Sequence, residues 1–154
     1  MTATRRQARE WAIQMLTAAD LNPPEDIQRF IEDHWAQHES LDHEDGGDGQ
    51  KVRGKLKRFA EERVQGVLAE KDALDAKLGM LLEDWDVDRL GTVERTVLRM
   101  GLWELDNCPD IPGPVVINEA VDLVNWFSSP RSRTLVNGVL DRYAKNAVHR
   151  PVDR

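Results

Sequence analysis

The chain has a single cysteine, Cys108, among its 154 residues. A lone thiol excludes an intrachain disulfide, and a reducing cytoplasm is the simplest compartment for it. No apolar run approaches the length of a transmembrane helix, and the polar N-terminus, with Arg5 and Arg6, lacks a signal-peptide core. There is no P-loop, no dinucleotide glycine fingerprint and no Cys/His cluster with ligand spacing. Without a nucleophile–base pair, a metal cage or a phosphate-cradling loop, catalysis is not expected and no cofactor is implied. No internal repeat stands out.

A chain of this length is expected to form one domain, residues 1–154, with a single sizeable core. Apolar residues make up 40% and charged residues 32%, the balance of a surface-rich helical protein. The net charge of −7 is unevenly spread. Residues 1–10 hold three Arg and one Glu, and residues 131–154 hold six Lys/Arg and two Asp. The body between them holds twelve basic and twenty-five acidic residues. Basic ends around an acidic body can bind phosphate locally, because charges beyond a Debye length of about 8–10 Å are largely screened. The overall acidity weakens non-specific nucleic-acid binding and favours a protein that binds together with another.

Hydrophobic spacing predicts helices throughout. Thr4 and Gln7 are placed for a capping box, and Ala8, Trp11, Ala12, Met15, Leu16 and Ala19 make one apolar face. Arg5 and Arg9 are one turn apart with Arg6 adjacent, a fork suited to phosphates. The plain alternative is a solvated first turn, and the helix dipole disfavours cations there. Pro24, Glu25 and Asp26 suit the start of a second helix, with Ile27, Phe30, Ile31 and His34 or Trp35 inward. Residues 39–50, ESLDHEDGGDGQ, read as a mobile acidic loop. His34, His38 and His43 have helical spacing for two of three, yet nothing completes a metal set, and an acidic helix-to-loop junction is the expectation.

From Lys51, the set Val52, Leu56, Phe59, Ala60, Val64, Val67 and Leu68 predicts a long amphipathic helix with Arg63 outward. Leu74, Leu78, Leu81, Leu82 and Trp85 mark the next. Residues 92–107 are apolar nearly all round, which predicts a central buried helix, with Gly101 admitting a close neighbour. Glu94, Arg95, Arg99 and Glu104 should share its small polar surface. Residues 111–145 read as an αα-hairpin. Pro112 and Pro114 open its first helix, residues 128–130 break it, and the second begins near Ser132. Asn118, Glu119 and the Asn137–Gly138 pair are expected to fix helix ends and packing.

The blocks VVINEAVDLVNWF and TLVNGVLDRYAK, with RRQAREWAIQML and DRLGTVERTVLRMGLWELDNCPDIP before them, resemble the NusB family of bacterial transcription antitermination factors. The resemblance implies an all-α fold of about seven helices in two packed helical bundles. It implies binding of boxA RNA in ribosomal RNA leaders as a heterodimer with the ribosomal protein NusE, within the RNA polymerase antitermination complex, and no membrane association. Carried onto this chain, Arg5, Arg6 and Arg9 would contact RNA and Glu94 the partner protein. Thr17 and Leu135 stand where many members have an aromatic residue near the partner and RNA surface. The alternative reading is a helical interaction module, as a homodimer or a ribosome-biogenesis adaptor. NusB-like domains also precede ribosomal-RNA methyltransferases, but the short chain favours a stand-alone factor.

Overall fold

The computed structural model describes residues 4–39, 48–82, 87–127 and 130–146. Among them are seven α-helices, one 3-10 turn and no strand, so the all-α reading stands. The chain divides into two compact units, Met1–Leu68 and Ala69–Arg154.

The first unit holds α1 (Arg5–Leu21), α2 (Ile27–Glu39) and nearly all of α3 (Asp48–Ala69). The Thr4 hydroxyl accepts the Gln7 N–H at 3.2 Å and starts α1. Ala8, Ala12, Met15, Leu16 and Ala19 form its buried face as the spacing predicts. α2 starts at Ile27, later than the proline suggested. The Asp26 carboxylate accepts the Arg29 N–H at 3.1 Å and acts as the cap, leaving Pro24 ahead of the first turn. Ile31 and Trp35 are buried, and the Trp35 indole donates to Glu61 of α3 at 2.7 Å. The expected acidic loop is trimmed at both ends, because Glu39 belongs to α2 and residues 48–50 to α3. Residues 40–47 lie outside the described residues.

Arg63 corrects a simple expectation. It is only 2% exposed. Its guanidinium lies 3.4 Å from the Phe59 ring centroid, donates to the Phe59 carbonyl at 3.1 Å and sits 3.8 Å from Glu62. A flat guanidinium with a ring face and a carbonyl in reach can be buried where a bare charge could not.

The second unit holds α4 (Lys71–Leu81), a 3-10 turn (Val87–Arg89), α5 (Thr92–Asn107), α6 (Gly113–Phe127) and α7 (Pro130–Lys145). α5 is its centre and packs against α4, α6 and α7. Val97, Leu98, Met100, Leu102 and Leu105 are buried, whereas Val93 and Trp103 are only partly so. A β-carbon on Gly101 would sit 2.8 Å from a Leu140 methyl, so α5 and α7 meet closely there. Arg99 and Glu104, expected on the polar surface, are buried. Asp75 of α4 explains Arg99, clamping its guanidinium with two bonds of 2.7 and 2.9 Å.

A second polar clip joins three helices. Lys77 of α4 and Tyr143 of α7 each donate to Asp106 of α5, at 2.6 and 2.8 Å. Arg142 of α7 donates to the Leu81 carbonyl at the end of α4. The hairpin opens as predicted, with the Pro112 carbonyl accepting from the N–H groups of Val115 and Val116. α7 starts at Pro130 rather than near Ser132, since a proline's fixed φ suits a first helical turn. Asn137 and Gly138 are exposed within α7 and mark no helix end. Trp85 and residues 128–129, assigned above to a stripe and a break, are outside the described residues.

Candidate nucleic-acid interface

In the first unit, cations and rings alternate. The Arg5 and Arg9 guanidinium carbons lie 5.3 and 5.2 Å from the Phe59 centroid, so one ring of α3 gathers both arginines of α1 and Arg63 as well. Arg5 is exposed, Arg6 half-buried and Arg9 only 3% exposed. The three are therefore not an equal fork. Arg5 and Arg6 form the outer edge, and Arg9 is packed beneath it. The ring faces help offset the dipole penalty for cations at a helix start.

On the other flank of α3, Arg53 lies over Trp11 and Lys57 over Trp35, each at 5.0 Å. The two indoles meet edge to face at 5.6 Å. Both cations belong to a run, Lys51, Arg53, Lys55, Lys57 and Arg58, with no acid between. Averaging charge over residues 11–130 conceals this run. A shorter window over KVRGKLKR would have exposed it.

His34 and His38 stack at 4.2 Å, with His38 Nδ1 at 2.8 Å from the His34 carbonyl. Burial, and then the neighbouring His38, push the His34 pKa below its ordinary value. Among the described residues no three His, Cys, Asp or Glu side chains form a metal-binding group, and His43 lies outside them.

In the second unit, Glu94 and Leu135 line one open pocket of about 500 Å³ with Arg89, Leu90, Arg131, Ser132 and Thr134. One Glu94 oxygen accepts the Gly91 N–H at 2.8 Å, capping α5, and the other accepts the Ser132 hydroxyl of α7. A β-carbon on Gly91 would sit 2.5 Å from Glu94 Oε1, so a larger residue there requires the tip of that flexible side chain to shift. The pocket thus combines two arginines, a half-buried leucine and a carboxylate already engaged in the fold. Thr17, grouped with these two by resemblance, belongs to the first unit. It is half-buried, and its hydroxyl has no hydrogen-bond partner among the described residues.

An all-α chain with a cation–ring surface in one unit and a mixed-charge pocket in the other has the makings of a helical binding protein. The NusB family model matches residues 6–145, and the chain belongs to the NusB family. It is 38% identical to the transcription antitermination protein NusB of a Nitratiruptor species, over 93% of each chain. It superposes on T. maritima NusB with a TM-score of 0.77 at 29% identity, covering 95% of this chain and 94% of that one. A crystal structure of the antitermination factors NusB and NusE in complex with dsRNA gives a TM-score of 0.72 at 25% identity, covering 92% and 96%.

Proposed function

We propose that this chain is a transcription antitermination factor. It binds boxA RNA of ribosomal RNA leaders together with the ribosomal protein NusE and joins the RNA polymerase complex that reads through terminators. The observation that carries this reading is the near-full-length likeness to NusB proteins, one of them crystallised with NusE and dsRNA. Arg5 and Arg6 hold the phosphate backbone, while Arg9 keeps Phe59 and Arg5 in position. Glu94 and Leu135 receive the partner protein in their pocket, and Thr17 belongs to the partner surface of the first unit. The work is binding and not catalysis. It is done in the cytoplasm on nascent RNA. Among the described residues no helix is long and apolar enough to cross a membrane.

Affinity for a boxA-containing RNA, measured across salt concentrations with and without NusE, tests the proposal. Arg5→Ala with Arg6→Ala is the informative variant, because both side chains reach solvent and Arg9 does not. Loss of two phosphate contacts should flatten the log–log salt slope by about 1.4, at about 0.7 per contact on a single strand. If the wild type binds boxA no better than a scrambled RNA with NusE present, the RNA role falls. A protein-only module, such as a homodimer, would then be the reading to pursue.

A further inference from the structure

We infer that the first turns of α3 form a second RNA-holding segment, in which Lys51, Lys55 and Arg58 take phosphates of the strand that runs on from Arg5. Lys51, Lys55 and Phe59 follow one another at four-residue steps and so share one stripe of α3. Phe59 is the ring over which Arg5 and Arg9 lie. The stripe therefore continues the α1 arginine edge without a break. Arg58, three residues after Lys55, widens it. Lys51, Lys55 and Arg58 are all exposed, and none has an acidic partner among the described residues. From Lys51 to Arg58 the stripe covers about 10 Å of helix, at roughly 1.5 Å per residue.

Crowding these cations on the first turns of one helix carries a folding cost. Lys51 with Lys55, and Arg53 with Lys57, are like-charge pairs at i,i+4, which destabilise a helix, and cations near a helix start oppose its dipole. An anionic ligand converts both penalties into attraction. A membrane surface is a poor candidate, because the apolar face of α3 (Leu56, Ala60, Val64 and Val67) is buried in the core and not offered outward. A polyanionic strand fits better. Arg53 and Lys57 already sit on indole faces, so the flank of the same helix combines charge with aromatic surface as single-strand-binding proteins do.

This inference rests on the RNA-binding function proposed above, and its test separates the two. The variant Lys51→Gln, Lys55→Gln, Arg58→Gln would be titrated with a boxA RNA extended by about six nucleotides on each side, with NusE present, over a range of salt. Losing three phosphate contacts should lower the salt slope by about 2. Affinity near 0.1 M salt should fall at least tenfold. Thermal unfolding should show the variant no less stable than wild type, since it relieves repulsion. A slope and affinity equal to wild type, with Arg5→Ala and Arg6→Ala still losing binding, overturn the α3 segment and leave the boxA function standing. Absence of binding by the wild type itself overturns both.

Discussion

At the scale of the residue, Phe59 is the most consequential side chain of the first unit. Three guanidinium groups from two helices converge on one ring, and the buried Arg63 lies nearest to it. A desolvated cation–π contact is worth about 2 kcal/mol and an exposed one about 0.5–1 kcal/mol. Replacing Phe59 with Leu keeps most of the apolar volume and removes the ring face. Unfolding in urea should therefore show a loss of about 2–3 kcal/mol, with Phe59→Tyr close to wild type. A loss below about 0.5 kcal/mol would mean the ring contributes little to holding Arg63. Sequence spacing could not reveal this, because it assigns a charged residue on an amphipathic helix outward by default. The same default misplaced Arg99, whose burial depends on Asp75, twenty-four residues earlier. The partner of Arg99 is remote in sequence, where periodicity carries no information, whereas Arg63 is held by Phe59 one turn away, and the outward default overlooks that ring.

At the scale of the element, two glycines of the second unit behave oppositely. A β-carbon at Gly101 would press into Leu140, whereas one at Gly138 would meet nothing within 4 Å. Gly101→Ala should cost about 1–3 kcal/mol by overpacking. Gly138→Ala should add up to about 1 kcal/mol by improving helix propensity. Thermal denaturation of both variants checks the pair. Combining Gly101→Ala with Leu140→Ala should recover part of the loss, since the two sites share one contact. Helix positions were largely legible in the sequence. α5 occupies residues 92–107 as its apolar pattern predicts, and Gly101 is the close approach it suggested. The starts of α2 and α7 were less legible, because Asp26 and Pro130 each act as a helix-start residue among neighbours that could do the same. Of the candidate site, the arginine edge could be read from spacing. That Glu94 and Leu135 share a pocket could not, because they lie on different helices.

At the scale of the whole molecule, stability should have a plateau bounded by two clusters. His34 is held below its ordinary pKa of 6.5, mainly by burial and then by His38, so the folded chain resists a proton that the unfolded chain accepts. Its contribution is complete above about 6.5 and is lost as the pH falls toward the lower folded value. Lys77 moves the other way. Burial alone would lower its pKa, but hydrogen bonds to Asp106 and Tyr143 outweigh that and raise it above 10.5. Its contribution is present below about 10.5 and disappears as pH climbs through the folded value. Tyr143 is raised above 10.0, by burial first and then by Asp106, and its contribution is likewise lost on the alkaline side. Denaturant midpoints measured from about pH 5 to 11 should fall at both ends. His34→Gln should flatten the acid limb, and Lys77→Met with Tyr143→Phe the alkaline one.

The engagement of Glu94 has an entropic consequence. Its two oxygens already serve Gly91 and Ser132, yet a carboxylate offers about four lone-pair sites, so both bonds leave acceptor capacity over. A donor that came to this pocket would meet a side chain already ordered by the fold, with about 0.5–1.5 kcal/mol of rotamer freedom lost before binding rather than during it. The fold, and not the ligand, would have done that ordering.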